Sequence, residues 1–177
     1  MALNLQQIPR VSTIGKDDFV KNHLQPQRPV VIEKLTEDWP AFQKWHLAYI
    51  KQVAGDKTVP LYDDRPVKHD EGFNEAHAEM KMSEYVDFQF HGKKRCIIFP
   101  PDQSPYLYRV PYSLIAREDI DFTDPDFEKW PALQKAQGYV CELDHGEMLY
   151  MPEGYWHYMH YLTPGFSISL RSYPRKI

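Results

Sequence analysis

The sequence predicts a mainly β, jelly-roll barrel with short helical decoration, and three observations carry that expectation. The 15 Pro residues are spread along the 177-residue chain and cut helices and strands into short pieces. Four β-rich segments close the chain, "GYVCEL", "EMLYMP", "YWHYMHYL" and "GFSISLRSY", separated by the turn signals "DHG", "PEG" and "TPG". Helical patterns come earlier, so short helices precede clustered antiparallel strands, arranged as a meander or as part of a Greek key. Hydrophobic residues make up 42% and aromatics 14%, enough apolar mass for one folded domain over residues 1–177.

Taken in order, "GKDDFVKNHL" spaces Phe19, Val20 and Leu24 for a short amphipathic helix, with Asp17 and Asp18 in the first turn where the helix dipole favours them. "RPVVIEKL" is a buried strand on its β-branched run Val30, Val31, Ile32. "DWPAFQKWHLAYIKQVAG" predicts a second helix with Asp38 as N-cap and Gly55 at its end. "KTVPLYDD" is a strand, and "RPVKHDEGFNEAHAEM" a polar loop. "KMSEYVDF" begins as a helix but runs straight into the strand pattern of "FQFHGKKRCIIFPP" with no turn residue between them. Compact domains give such a connection a few residues of its own, so the 87/88 junction reads as a seam. A further helix is expected at "DPDFEKWPAL".

The net charge of -4 and isoelectric point near 6.0 argue against nucleic acid as a partner, since phosphate binding needs a positive surface. No apolar stretch approaches bilayer-spanning length and "MALNLQQIPRVST" lacks the pattern of a signal peptide, which gives the expectation of a cytoplasmic protein that does not engage membranes. Cys96 and Cys141 are too few for a disulfide framework and read as reduced core thiols.

Candidate chemistry centres on "PEGYWHYMH", where His157 begins a strand after a tight turn, flanked by Tyr155, Trp156 and Tyr158. A barrel-mouth imidazole is a common ligand for iron and other divalent metals; the alternative is a structural His held in an aromatic cluster. A non-haem iron site takes two His and one carboxylate, and a strand offers two of these as His-x-Asp or His-x-Glu. His69-Asp70-Glu71 has that spacing but lies in a polar, Gly-containing loop, and Asp70 with His77 is a weaker pairing. Lys94 shares a strand face with Cys96 and Ile98, so it either points inward towards an anion or snorkels to the surface, while Lys93 and Arg95 face solvent.

"GKKRCIIFPPDQSPYLY" followed by "FTDPDFEKWPALQKAQGYVCELDHGEMLYMPEGYWHYMHYLTPGFSIS" resembles the cupin-like JmjC group of Fe(II)- and 2-oxoglutarate-dependent oxygenases, which includes the asparaginyl hydroxylase that inhibits hypoxia-inducible factor. "RPVVIEKLTEDWPAFQKW" is similar to the start of these proteins. The resemblance implies a double-stranded β-helix of the cupin type and a hydroxylase or demethylase activity on a protein or small-molecule substrate. It implies Fe(II) and 2-oxoglutarate as cofactors, His157 as the distal metal ligand and Lys94 as the residue that binds the far carboxylate of 2-oxoglutarate. It also implies a departure. The family's proximal His-x-Asp lies shortly before the "GKKR" strand, and here the seam at 87/88 reads as an internal deletion that removes it. The expectation is therefore an incomplete barrel whose iron site is either completed by His69 and Glu71 or lost. A non-catalytic jelly-roll binding or scaffold module is the other reading, and exposed strand edges give the expectation of a homodimer.

Overall fold

The computed structural model describes residues 2–61, 78–84, 93–108 and 120–162. Its strands are β1 (Asn4–Gln7), β2 (Arg10–Val11), β3 (Val30–Ile32), β4 (Thr58–Leu61), β5 (Ala78–Lys81), β6 (Lys94–Phe99), β7 (Gln137–Leu143), β8 (Met148–Tyr150) and β9 (Trp156–Tyr161). Among the described residues they form a four-stranded sheet in the order β1-β7-β6-β9, a three-stranded sheet β2-β3-β8 and a two-stranded β4-β5 ribbon. Consecutive strands β7, β8 and β9 do not pair with one another. β7 and β9 both flank β6, whereas β8 crosses over to pair with β3. That alternation between sheets is jelly-roll connectivity and rules out the meander. The turns that make it are built on Gly146 (φ 85°) and Gly154 (φ 76°), each in the left-handed region that glycine enters without strain.

The two sheets are joined through β6. Cys96 and Ile98 point inward and pack with Ile8, Val31 and Cys141, and with the partly buried Leu149, Met151 and Met159. Ile97 and Phe99 point the other way, into a second cluster with Leu107, Ile120, Phe122, Trp130 and Leu133. The strand is thus buried on both faces, which explains why "CIIF" is a continuous apolar run rather than an alternating one. Short 3₁₀ turns at Pro101–Tyr106 and Pro131–Lys135 carry the covering layer. They are tied to the sheet where Gln103 accepts from the Gln137 backbone N–H at 2.9 Å and where the Tyr108 hydroxyl accepts from Ala132 N–H, also at 2.9 Å.

Several expected elements take a different form. The first helix is α1 (Lys16–Phe19) running into a π-helical turn at Val20–Leu24. The single helix over 38–55 is two, α2 (Pro40–Lys44) and α3 (Leu47–Ala54), capped by Trp39 and His46 rather than by Asp38. His46 leaves helical geometry and its Nδ1 accepts from the Tyr49 N–H at 3.3 Å, a local bond that competes with helix continuation. No α-helix forms at "DPDFEKWPAL". The Asp126 carboxylate accepts from the N–H groups of Glu128 and Lys129, and Pro131 keeps Trp130 out of the α region (φ -124°, ψ 62°). The polar loop expected before "KMSEYVDF" ends earlier than its sequence suggests, because Ala78–Lys81 pairs antiparallel with β4. The 87/88 junction and the fourth C-terminal β segment lie outside the described residues. Among the described residues, no helix is long and apolar enough to cross a membrane.

Gly138 is the tightest point of the β6–β7 contact. A Cβ there would lie 2.6 Å from Phe99 Cδ1 and 2.7 Å from the Ile98 carbonyl oxygen. Gly138→Ala is expected to cost about 1–3 kcal/mol, the range for overpacking a filled core. At Gly15 the nearest atom to an added Cβ is 3.9 Å away, so Gly15→Ala serves as the control. Urea midpoints for the two variants check the difference.

Candidate functional site

The inner face of the β6–β9 pair holds the residues singled out in the sequence. The register sets Lys94 opposite Tyr161, Cys96 opposite Met159 and Ile98 opposite His157. Directly opposed residues in an antiparallel pair share a face, so Lys94, Cys96, Ile98, His157, Met159 and Tyr161 form one patch. Within it Lys94 and His157 stand diagonally, about four residues or roughly 13 Å apart along the strand direction at about 3.3 Å per residue. Lys94 is half-buried, with its Nζ 3.4 Å from the Tyr161 hydroxyl and 4.7 Å from the centre of that ring. Lys94 thus lies on the strand face read from the period of two, with its ammonium at the rim beside the exposed Tyr161. Lys93 and Arg95 turn outward to Glu142, at 3.6 and 2.7 Å.

His157 is positioned by what precedes it. The turn at Gly154 abuts Pro101, and the Trp156 indole N–H donates to Ser104 Oγ at 2.8 Å. Trp156 and Tyr158 are thereby committed to the outer cluster, where both pack against buried residues. The sequence suggests an aromatic wall around His157, but strand alternation sends its two immediate neighbours to the opposite face. Tyr155 alone of the three turns inward, and its hydroxyl donates to the Gln27 carbonyl at 3.1 Å. His157 itself is exposed.

One imidazole does not make a facial triad, and among the described residues no group of three His, Cys, Asp or Glu side chains is placed to hold a metal ion. His69, Asp70, Glu71 and His77 lie outside the described residues. The His-x-Glu spacing recurs at His77–Glu79 and at His145–Glu147, the latter within "DHGE", which reads as a turn between strands. His145 and Glu147 sit in the β7–β8 turn, where Glu147 pairs with Arg10 and accepts from the Asp144 N–H, and His145 Nε2 meets the Phe42 carbonyl at 3.2 Å. Both are occupied in fixing the turn. Glu79 is on the separate β4–β5 ribbon.

On the outer side, Asp121 braces β9. Its carboxylate accepts from Thr123 Oγ1 at 2.6 Å, from the Thr123 N–H at 2.7 Å and from the Tyr158 hydroxyl at 3.3 Å. The Thr123 hydroxyl is the leading reason its pKa falls below the usual aspartate value, while burial first, and then Asp121, pushes the Tyr158 phenol up. A cavity of about 560 Å³ also opens on this side, lined in part by Leu5, Arg10, Arg95, Phe122 and Glu142. It lies across the sheet from Lys94. Its two guanidiniums are already paired, Arg10 with Glu33 and Glu147 and Arg95 with Glu142.

The strands alternate between two sheets as in a cupin-type jelly roll, and the sequence comparisons agree. The chain belongs to the cupin-like domain family, of JmjC type, whose model matches residues 16–89 and 82–173. It is similar to HSPB1-associated protein 1 of Rattus norvegicus (34% identical over 106 residues, 55% of this chain and 22% of that protein). It is also similar to lysine-specific demethylase 8 of Xenopus tropicalis (23% over 229 residues, 92% of this chain and 52% of that protein). The tRNA wybutosine-synthesizing protein 5 of Gallus gallus is 31% identical over 111 residues, 59% of this chain and 34% of that protein. The chain thus spans about half the length, or less, of these relatives. The match to the demethylase runs over 229 positions although 92% of a 177-residue chain takes part, so several dozen of those positions have no counterpart here.

Two measurements follow from this geometry. Because His157 is exposed, His157→Ala is expected to leave the urea midpoint within about 0.5 kcal/mol of wild type; a loss of more than about 2 kcal/mol would restore the structural reading of this residue. For Asp121, a folded pKa below the ordinary 3.8 means that its stabilisation is fully present above that value and is lost as pH falls through the lower folded value. Asp121→Asn is expected to flatten the acid limb of stability against pH, by about 1 kcal/mol or less because solvent screens an exposed carboxylate.

Proposed function

We propose that this chain is a JmjC-type cupin module related to the Fe(II)- and 2-oxoglutarate-dependent oxygenases, hydroxylase or demethylase in type, with a metal site that is incomplete within the chain. The observation that carries the reading is the shared inner face of Lys94 and His157 on the β6–β9 pair. Lys94 is the residue that would hold the far carboxylate of 2-oxoglutarate. A half-buried ammonium needs an anion or dipoles around it, and the Tyr161 hydroxyl at 3.4 Å adds a second polar group at the same spot. His157 would supply one coordination position to Fe(II). In such oxygenases the bound metal and co-substrate together provide the oxygen activation, while the protein positions them.

Incompleteness is supported by the sequence. No His-x-Asp occurs anywhere in the 177 residues. The helix-to-strand seam at 87/88, the family match in two pieces that meet at residues 82–89, and the unmatched positions in the demethylase alignment all fit an internal deletion. His69 and Glu71 have the spacing of substitute ligands. Without them the module binds rather than catalyses, which is the alternative reading of a jelly-roll binding or scaffold protein. A protein or small-molecule substrate, a cytoplasmic setting and a second copy of the chain covering open strand edges belong to this same proposal.

Calorimetry and a succinate assay test it. 2-Oxoglutarate is expected to bind the wild-type chain at least about tenfold more tightly than the Lys94→Met variant, the scale of one charge-assisted contact. With Fe(II), ascorbate and oxygen present, succinate release is expected to stay at the buffer blank. Equal affinities would remove Lys94 from the site, and sustained succinate release would show that the metal site is complete.

A further inference from the structure

Cys96 and Cys141 are the two cysteines of the chain, and the fold brings them together. They are direct cross-strand partners in the β6–β7 register and both side chains are in the inner cluster. Both are free thiols, at 0% and 2% exposure. Directly opposed residues in an antiparallel pair have Cα atoms about 4.5–5.5 Å apart, inside the range of about 4.4–6.8 Å that a disulfide spans. No movement of either strand past the other is needed to bring the sulfurs into bonding range.

We propose that Cys96 and Cys141 are a reversible dithiol–disulfide couple set in the inner face of the barrel, oxidised by a peroxide and reset by a thiol reductant. The couple is independent of whether iron or 2-oxoglutarate binds. The local chemistry assigns the order of events. The interaction with Cys141, and then the Lys94 ammonium two residues along the same face, hold the Cys96 thiol below its ordinary pKa, and the first thiolate is assigned to Cys96. The Cys96 thiolate attacks one oxygen of hydrogen peroxide. The O–O bond breaks, hydroxide leaves and becomes water with the proton that Cys96 gave up, and a sulfenic acid remains. Cys141 sulfur then attacks the Cys96 sulfur. The S–S bond forms, the S–O bond breaks, and the departing hydroxyl leaves as a second water with the Cys141 proton. Two electrons pass from the thiols to the peroxide, and the balance closes with two waters and one disulfide. Reduction returns the dithiol by exchange with an external dithiol.

The bond would alter the inner face itself. Cys96 lies between Lys94 and Ile98 on β6 and faces Met159 across β9. Linking its sulfur to β7 draws it away from the β9 side, directly between the rows that carry Lys94 and His157.

The test uses the full chain, reduced, freed of reductant and exposed to hydrogen peroxide, then denatured in the presence of a maleimide. The expected result is loss of both countable thiols, an intact mass lower by two hydrogens, and a single-chain peptide linking the segments that contain residues 96 and 141, all reversed by dithiothreitol. Cys141→Ser is expected to stop at a gain of one oxygen on Cys96, and Cys96→Ser to show no cross-link. Two thiols still countable after peroxide, or stepwise oxygen addition in the wild-type chain without the linked peptide, would overturn the proposal. Folding of each Ser variant is checked by its urea midpoint, and the wild-type mass result stands alone if either variant fails to fold.

Discussion

Every described feature of the candidate site depends on the burial of β6 on both of its faces. Cys96, Ile97, Ile98 and Phe99 are each 2% exposed or less. Complete burial of a large apolar side chain contributes about 1.5–3 kcal/mol, so this one strand carries a sizeable share of a domain's net stability of about 5–15 kcal/mol. Because the strand is buried on two sides, its register is fixed twice. A slip by one residue would carry Ile97 and Phe99 out of the outer cluster and Cys96 and Ile98 out of the inner one. That double constraint is what holds Lys94 at the inner rim, and through the β6–β9 pairing it holds His157 on the same face.

The neighbouring strands depend on β6 in different ways. β7 packs so closely that only glycine fits at position 138, against the Phe99 ring. β9 is held on its outer side by Trp156 on Ser104 and Tyr158 on Asp121, leaving its inner residues less enclosed. The β7–β8 turn is fastened independently, by Thr36 Oγ1 donating to the Gly146 carbonyl at 2.5 Å and by the Phe42 ring lying where a Cβ on Gly146 would be. Scaffold side chains and site side chains thus occupy alternate positions on the same strands. A site on strand faces inherits the rigidity of the core, which loops do not offer.

How much of this was legible depended on whether a residue's role is local or tertiary. β3, β6, β7 and β9 were readable because β-branched and aromatic runs bounded by Gly and Pro are local signals, and so was the strand face that Lys94 shares with Cys96 and Ile98, which needs only the period of two. β1 and β2 were not, since "NLQQ" and "RV" have no strand pattern of their own and exist through pairing with β7 and β3. The break at His46 comes from a side chain bonding its own backbone, a choice that composition and periodicity do not register, and the helix after Asp126 is cut to a single turn by Pro131. The pairing of consecutive strands with non-consecutive partners was likewise invisible, because turn signals mark where strands end and not which strand they meet. For the site, family likeness supplied the expected roles of Lys94 and His157, and register supplied their shared face. The facing thiols of Cys96 and Cys141 followed from register alone.

The side chains of the inner face differ in how firmly the fold holds them, and the physical reason lies in where each sits. Lys94 is carried by the strand that the fold cannot lose, and its polar companion Tyr161 is carried by the strand paired to it. Removing either changes a side chain and not the barrel. Residues on the separate β4–β5 ribbon have no such anchoring, since among the described residues neither of its strands pairs with the two larger sheets. The parts of the site embedded in the double-sided burial therefore persist with the fold, while those outside it are free to change. The inner face of β6 and β9 therefore keeps its shape for the same reason that the two cores do.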